Sequence, residues 1–64
     1  MTMNEGAALL PIDEAAARLG TTARFLRRLV AERRIPYFKI GRHVRFRVAD
    51  LDSFIAAGRV DARR

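Results

Sequence analysis

The sequence predicts a small, mostly helical domain with one β-hairpin: two short helices, a two-stranded hairpin and a short closing helix. Three observations predict it. Apolar residues recur at helical spacing in two segments separated by Gly20, Thr21 and Thr22. The stretch FKIGRHVRFRV alternates apolar and cationic residues on both sides of a Gly-Arg pair, which is the period of strands joined by a turn. The chain has 64 residues, enough for one domain.

The elements follow in order. Residues 1–8 (MTMNEGAA) have no period and are expected to form a disordered tail. LLPIDEAAARLG reads as the first helix, with Ile12, Ala15, Ala16 and Leu19 on one face. Pro11 suits its first turn, Asp13 and Glu14 complement its positive end, and Gly20 stops it. TTARFLRRLVAERRIP gives the second helix. Thr22 is its N-cap, Leu26, Leu29 and Val30 form its apolar stripe, and Pro36 forces an end near Arg33. Phe38 and Ile40, then Val44, Phe46 and Val48, are expected on the apolar face of the hairpin. His43, Arg45 and Arg47 fall on the opposite face, and Gly41 and Arg42 turn the chain. ADLDSFIAAG is the closing helix, with Asp50 and Asp52 in its first turn, Leu51, Phe54 and Ile55 inward, and Gly58 at its end. The folded unit is expected at residues 9–57, with 58–64 a flexible basic tail.

The formal net charge is +6 and the pI about 11.5. The charge is concentrated. Arg18, Arg24, Arg27, Arg28, Arg33, Arg34, Lys39, Arg42, Arg45 and Arg47 share the middle of the chain with a single acid, Glu32. Arg24, Arg27 and Arg28 fall on one helical face, where like charges repel by a few tenths of a kcal/mol per pair. Such a distribution points to a polyanionic partner, nucleic acid first and anionic membrane second. No membrane span or signal peptide is visible, since the longest apolar run is only Ala7 to Leu10. No cysteine is present, which fits a reducing cytoplasm.

Catalytic chemistry finds little material. His43 is the only histidine and reads as an exposed strand residue beside cations. No set of four metal ligands and no phosphate-binding glycine loop occurs, and so small a core leaves no room for a small-molecule pocket. No enzyme activity, metal, cofactor or small ligand is expected. The helix pair joined by a Gly-containing turn is instead the pattern of a helix-turn-helix, whose second helix enters the major groove of double-stranded DNA. The recognition residues would be Thr22, Ala23, Arg24, Phe25, Arg27 and Arg28. Arginine pairs bidentately with guanine and small apolar groups meet the thymine methyl. The basic hairpin beside this helix makes a wing. Its residues are Lys39, Gly41, Arg42, His43, Arg45 and Arg47, with the tip suited to a minor groove.

The segments DEAAARLG, RRIPYFKIG, HVRFR and DLDSF, with the Thr22-capped helix between them, resemble the excisionase family of winged helix-turn-helix proteins, relatives of the MerR-type DNA-binding domain. The resemblance covers about Leu9 to Ile55. It implies a recombination directionality factor of a phage or mobile element. Such a protein binds and bends DNA at prophage attachment sites and directs an integrase, here of the tyrosine type, toward excision. Neighbouring protomers would sit in tandem on the DNA, on the bacterial nucleoid. By motif, Arg24, Arg27 and Arg28 would be major-groove or phosphate contacts, and Arg42 and Arg45 wing contacts. Four residues depart from the family pattern. Pro11 and Ala49 replace capping residues, Phe25 replaces a small polar residue, and Arg27 replaces an aromatic. Phe25 is expected to pack on Leu29 rather than reach a base. Two other readings compete: a small MerR-like transcription regulator on the same fold, and a protein-interaction adaptor that turns its cationic face to an acidic protein. GRVDARR after the last helix is too short for the long dimerisation helix of MerR-type regulators, which favours the excisionase.

Overall fold

The computed structural model describes residues 5–62. Helix α1 (Ile12–Leu19) follows Pro11, which occupies the N-cap position in an extended conformation and makes no side-chain cap bond. Gly20 closes it in the left-handed region at φ 71°. The Gly20 N–H donates to Ala17 O and the Thr21 N–H to Ala16 O, at 3.0 and 2.9 Å, so the last carbonyls of the helix are satisfied. Helix α2 (Ala23–Ala31) starts at Thr22, whose Oγ1 accepts from the Phe25 N–H at 3.1 Å. Such a cap is worth about 1 kcal/mol.

The end of α2 repeats the geometry of α1 with a different residue. The Arg33 N–H donates to Val30 O and the Arg34 N–H to Leu29 O, and Arg33 takes φ 55° where α1 has glycine. A left-handed L-residue costs about 1 to 2 kcal/mol. Glycine relieves that strain but makes the unfolded chain more flexible, which takes back part of the gain. Arg33→Gly is therefore expected to raise stability by about 0.5 to 1 kcal/mol, or a few degrees in a thermal melt. A lower melting temperature would show that the Arg33 side chain holds the loop.

Three strands form one antiparallel sheet in the order β1 (Leu9–Leu10), β3 (His43–Arg47), β2 (Phe38–Ile40). Helix α3 (Val48–Ala57) follows β3 without a break. The architecture is that of a winged helix-turn-helix: three helices and a small sheet. Several local expectations are corrected. Leu9 and Leu10 are a strand, not the lead-in of the first helix, and they make the sheet three-stranded. Pro11 disfavours helix at the residue before it, and the edge of β3 offers backbone partners instead. Val48 opens α3 rather than closing the hairpin, so the uncapped start falls at Arg47 and not at Ala49. Ile55 is 46% exposed rather than inward. Residues 1–4 of the expected tail lie outside the described residues. Glu5–Ala7 form a 3-10 turn beside α3, and Ala8 O accepts from the Val48 N–H at 3.0 Å. At the other end, 59–62 carry no regular element, and Arg63 and Arg64 lie outside the described residues.

The main correction concerns the hairpin faces. Phe38 pairs with Arg45, Lys39 with Val44 and Ile40 with His43. Residues opposite each other in an antiparallel pair share a face. Phe38 and Ile40 therefore lie with His43, Arg45 and Arg47 on the outer face, 38% and 52% exposed. The two-residue loop imposes this register. Gly41 has φ 63° and Arg42 is not left-handed, the φ pattern of a type II′ turn, which takes glycine first. A two-residue loop makes Ile40 and His43 direct partners, whatever hydrophobicity would choose. The outer face is thus a mixed one, with Leu9 joining Phe38 and Ile40 among the cations.

The core sits between the inner sheet face and the helices. Phe46, Leu26, Leu29, Leu51 and Ala15 are fully buried, with Ala16 and Ile35 beside them. Arg18 of α1 grips Asp52 of α3, Nε to Oδ1 at 3.0 Å and Nη2 to Oδ2 at 3.2 Å. This bond holds the Asp52 carboxyl below its ordinary pKa. Its contribution to stability is present above the unfolded carboxylate pKa of about 4 and is lost as pH falls through the lower folded value. The pair is exposed, so a small effect is expected. Asp52→Asn should flatten part of the acid limb of a stability-versus-pH curve and leave the neutral plateau nearly unchanged.

Candidate nucleic-acid interface

The apolar stripe of α2 is turned to the core, which leaves the other face of that helix to solvent. Thr22, Arg24, Phe25, Arg27 and Arg28 line a recess of about 580 Å3 there, and Ala23 is half-buried beside it. Thr22 is committed to the helix cap. Arg24 and Arg27 make no ion pair among the described residues. Arg28 does: its Nε donates to Glu32 Oε2 at 3.1 Å. Phe25 is 41% exposed and also borders an apolar crevice of about 210 Å3 with Leu29 and Phe54, so it leans toward Leu29 as well as toward solvent.

The wing brings its tip to the same side. A second cleft, of about 350 Å3, is walled by Arg27 and Val30 of α2 and by residues 42–45 of the wing. Arg27, Arg42, His43 and Arg45 thereby meet around one space, although at least 15 positions separate Arg27 from the others. Only the tertiary fold puts them together.

Lys39 and Arg47 are not part of that group. Arg47 Nη2 donates to Asp50 Oδ1 at 3.3 Å, and its guanidinium lies 5.3 Å from the centre of the Phe38 ring. This cation–π contact, worth about 0.5 to 1 kcal/mol at an exposed site, ties the outer sheet face together. Lys39 lines a separate recess of about 590 Å3 with Arg33 and Arg34. Those two arginines are a cationic site that the motif reading passed over. The signal was present as a run of adjacent Arg residues before Ile35 and Pro36. Arg34 Nη1 and Arg28 Nε both donate to Glu32, at 3.1 Å each. The Arg34 bond, and then the Arg28 bond, hold the Glu32 carboxyl below its ordinary pKa. The single acid of the basic region thus acts as a cross-link between two cations.

A helix pair closed by a left-handed glycine, an exposed cationic second helix and a basic wing define the geometry. Residues 9–59, more than half of the chain, match the model of a family described as a helix-turn-helix domain. The chain belongs to the helix-turn-helix domain family. No curated protein and no solved structure matches it. In this helix-turn-helix domain α1 and α2 are the motif, and α2 is the element that such domains place in the major groove. Its function is sequence-specific DNA binding, and DNA is its partner. No helix among the described residues is long and apolar enough to cross a membrane. Among the same residues no group of three or more His, Cys, Asp or Glu could hold a metal ion.

Proposed function

We propose that this helix-turn-helix domain is an architectural DNA-binding protein of the excisionase type. In this reading α2 lies in the major groove, with Arg24 and Arg27 at base edges or phosphates and Arg28 on the backbone. The wing tip, Gly41 and Arg42, enters the neighbouring minor groove. Several protomers occupy direct repeats in tandem, bend the DNA and help a phage integrase of the tyrosine type to assemble for excision. The setting is the nucleoid of a bacterial cytoplasm.

One observation carries the reading: Arg27 of the helix and Arg42, His43 and Arg45 of the wing border a single cleft. Two cationic elements aimed at one space suit a duplex that offers two grooves and the phosphate ridge between them. A protein adaptor has no need of that division. The adaptor also predicts no DNA affinity at low salt, whereas several phosphate contacts predict a steep loss of affinity as salt rises.

The test is a footprint with a bending assay, on fragments the protein selects from its own genome. Adjacent protected direct repeats with a bend, beside an integrase core site, are expected. A lone inverted repeat in a promoter, with straight DNA, would replace the excisionase by a small MerR-like regulator. No protection at low salt would overturn DNA binding by this chain.

A further inference from the structure

The cleft between α2 and the wing has a backbone feature that cations alone do not explain. Strand β3 is covered along 43–45 by β2 and along 46–47 by β1, on opposite edges. In an antiparallel ladder successive residues point their N–H and C=O to alternate edges. Val48 donates its N–H to Ala8 O on the β1 side, and Phe46 faces Leu10 on that side. The next residue in that row is Val44. Its partner by register would be Ile12, but the chain has already turned at Pro11 into α1. The Val44 peptide groups therefore face the cleft with no strand opposite. The carbonyl is occupied, since Arg45 Nη1 donates to Val44 O at 2.9 Å. The N–H remains, in a cleft bounded by Pro11 and Ile12 on one side and by Arg27 on another.

We propose that this niche holds a single phosphate of the DNA backbone, with the Val44 N–H donating to one of its oxygens and Arg27, Arg42 and Arg45 neutralising it. The inference rests on the DNA-binding reading and adds the atom that sets the height of the duplex between helix and wing. A backbone donor on a packed strand has no rotamer to lose, so it places a phosphate more sharply than a long arginine does. The bound Arg45 side chain acts in the same direction. It is fixed to the strand it neutralises for, so its charge stays at the niche. An added peptide strand fits less well. The uncovered edge is one residue long, Pro11 and Ile12 close its end, and the Val44 carbonyl is already taken. The acids of the first turn of α1, Asp13 and Glu14, are exposed and do not line the cleft.

The test uses the full 64-residue chain made by chemical synthesis, with the Val44 amide N–H replaced by an ester oxygen. The probe is a duplex selected by the unmodified protein from a random-sequence pool, and a series of the same duplex with one phosphate at a time replaced by neutral methylphosphonate. The ester is expected to weaken binding about tenfold, the scale of one charge-assisted hydrogen bond. The slope of log affinity against log salt should not change, because no charge is removed. The thermal midpoint should fall only modestly, because the lost N–H is outside the ladder and the one ladder group affected is the neighbouring His43 carbonyl, which as an ester is a weaker acceptor. At one methylphosphonate position the loss should be about tenfold smaller for the ester protein than for the unmodified one, the signature of a direct pair, while the loss of the charge that the three arginines neutralise is felt by both. The proposal is overturned if the ester protein binds as tightly as the unmodified one, or if no phosphate position couples to it. Failure of the unmodified protein to bind any duplex would overturn the DNA-binding reading itself and this inference with it.

Discussion

Phe46→Ala is expected to unfold the domain at room temperature. Phe46 is fully buried, the largest of the fully buried side chains, and stands on β3 with Leu10 opposite and the helix core on its face. Removing a buried Phe costs about 3 to 5 kcal/mol through lost transfer energy and the cavity left behind. A domain of this length has total stability of only about 3 to 10 kcal/mol at about 0.05 to 0.15 kcal/mol per residue. No disulfide compensates, since the sequence has no cysteine. The measurement is a far-UV circular dichroism melt, in which the cooperative transition should be lost or displaced far downward. Ile40→Ala is the matched control. Ile40 lies on the outer face and is half exposed, so its loss should cost less than about 1 kcal/mol. An inward Ile40, as the alternating pattern suggested, would cost about 2 to 5 kcal/mol. The pair of melts therefore tests the hairpin register as well as the core.

Arg27→Ala is expected to give the largest loss of DNA affinity among single arginine changes. Arg27 is the cation common to the recess on α2 and the cleft beneath the wing, and it has no ion pair among the described residues. The expected cost is about 1 to 3 kcal/mol if it reads a guanine, and a fall of about 1 in the salt slope if it neutralises a phosphate. Arg28→Ala should cost less, because its charge is shared with Glu32, and should still exceed Arg63→Ala. Arg59→Ala serves as a further control, since that residue follows α3 and is already paired with Asp61. Titrations at several salt concentrations decide the matter. Equal losses from all four substitutions would mean diffuse charge attraction in place of a docked helix.

Much of this molecule is legible in one dimension. The helices announce themselves because their signals are local. Thr22 caps within three residues, Gly20 closes α1 through bonds to Ala16 and Ala17, and Leu26 and Leu29 mark a stripe one turn apart. The exposed cationic face of α2 was legible for the same reason, as the remainder of the helix once its stripe was assigned. Hairpin faces were not legible. Alternation is symmetric, so a short strand such as FKI can place either set inward, and side-chain hydrophobicity at three residues is a weaker constraint than a two-residue turn. The short β1 strand was hidden because two leucines before a proline carry no periodic signal at all.

The sequence by itself determined the fold class, the end of α1 and the start of α2, the sign and place of the charge, and a DNA-type partner, since each depends on composition or on residues within one turn of each other. Only the tertiary structure decided which cations lie together. Arg27 joins Arg42 and Arg45 across a cleft, while Arg47 is turned to Phe38 and Asp50 and Arg34 to Glu32. The row of cations on HVRFR is thus divided by neighbour, because register and packing assign each guanidinium a partner that no spacing along the chain reveals.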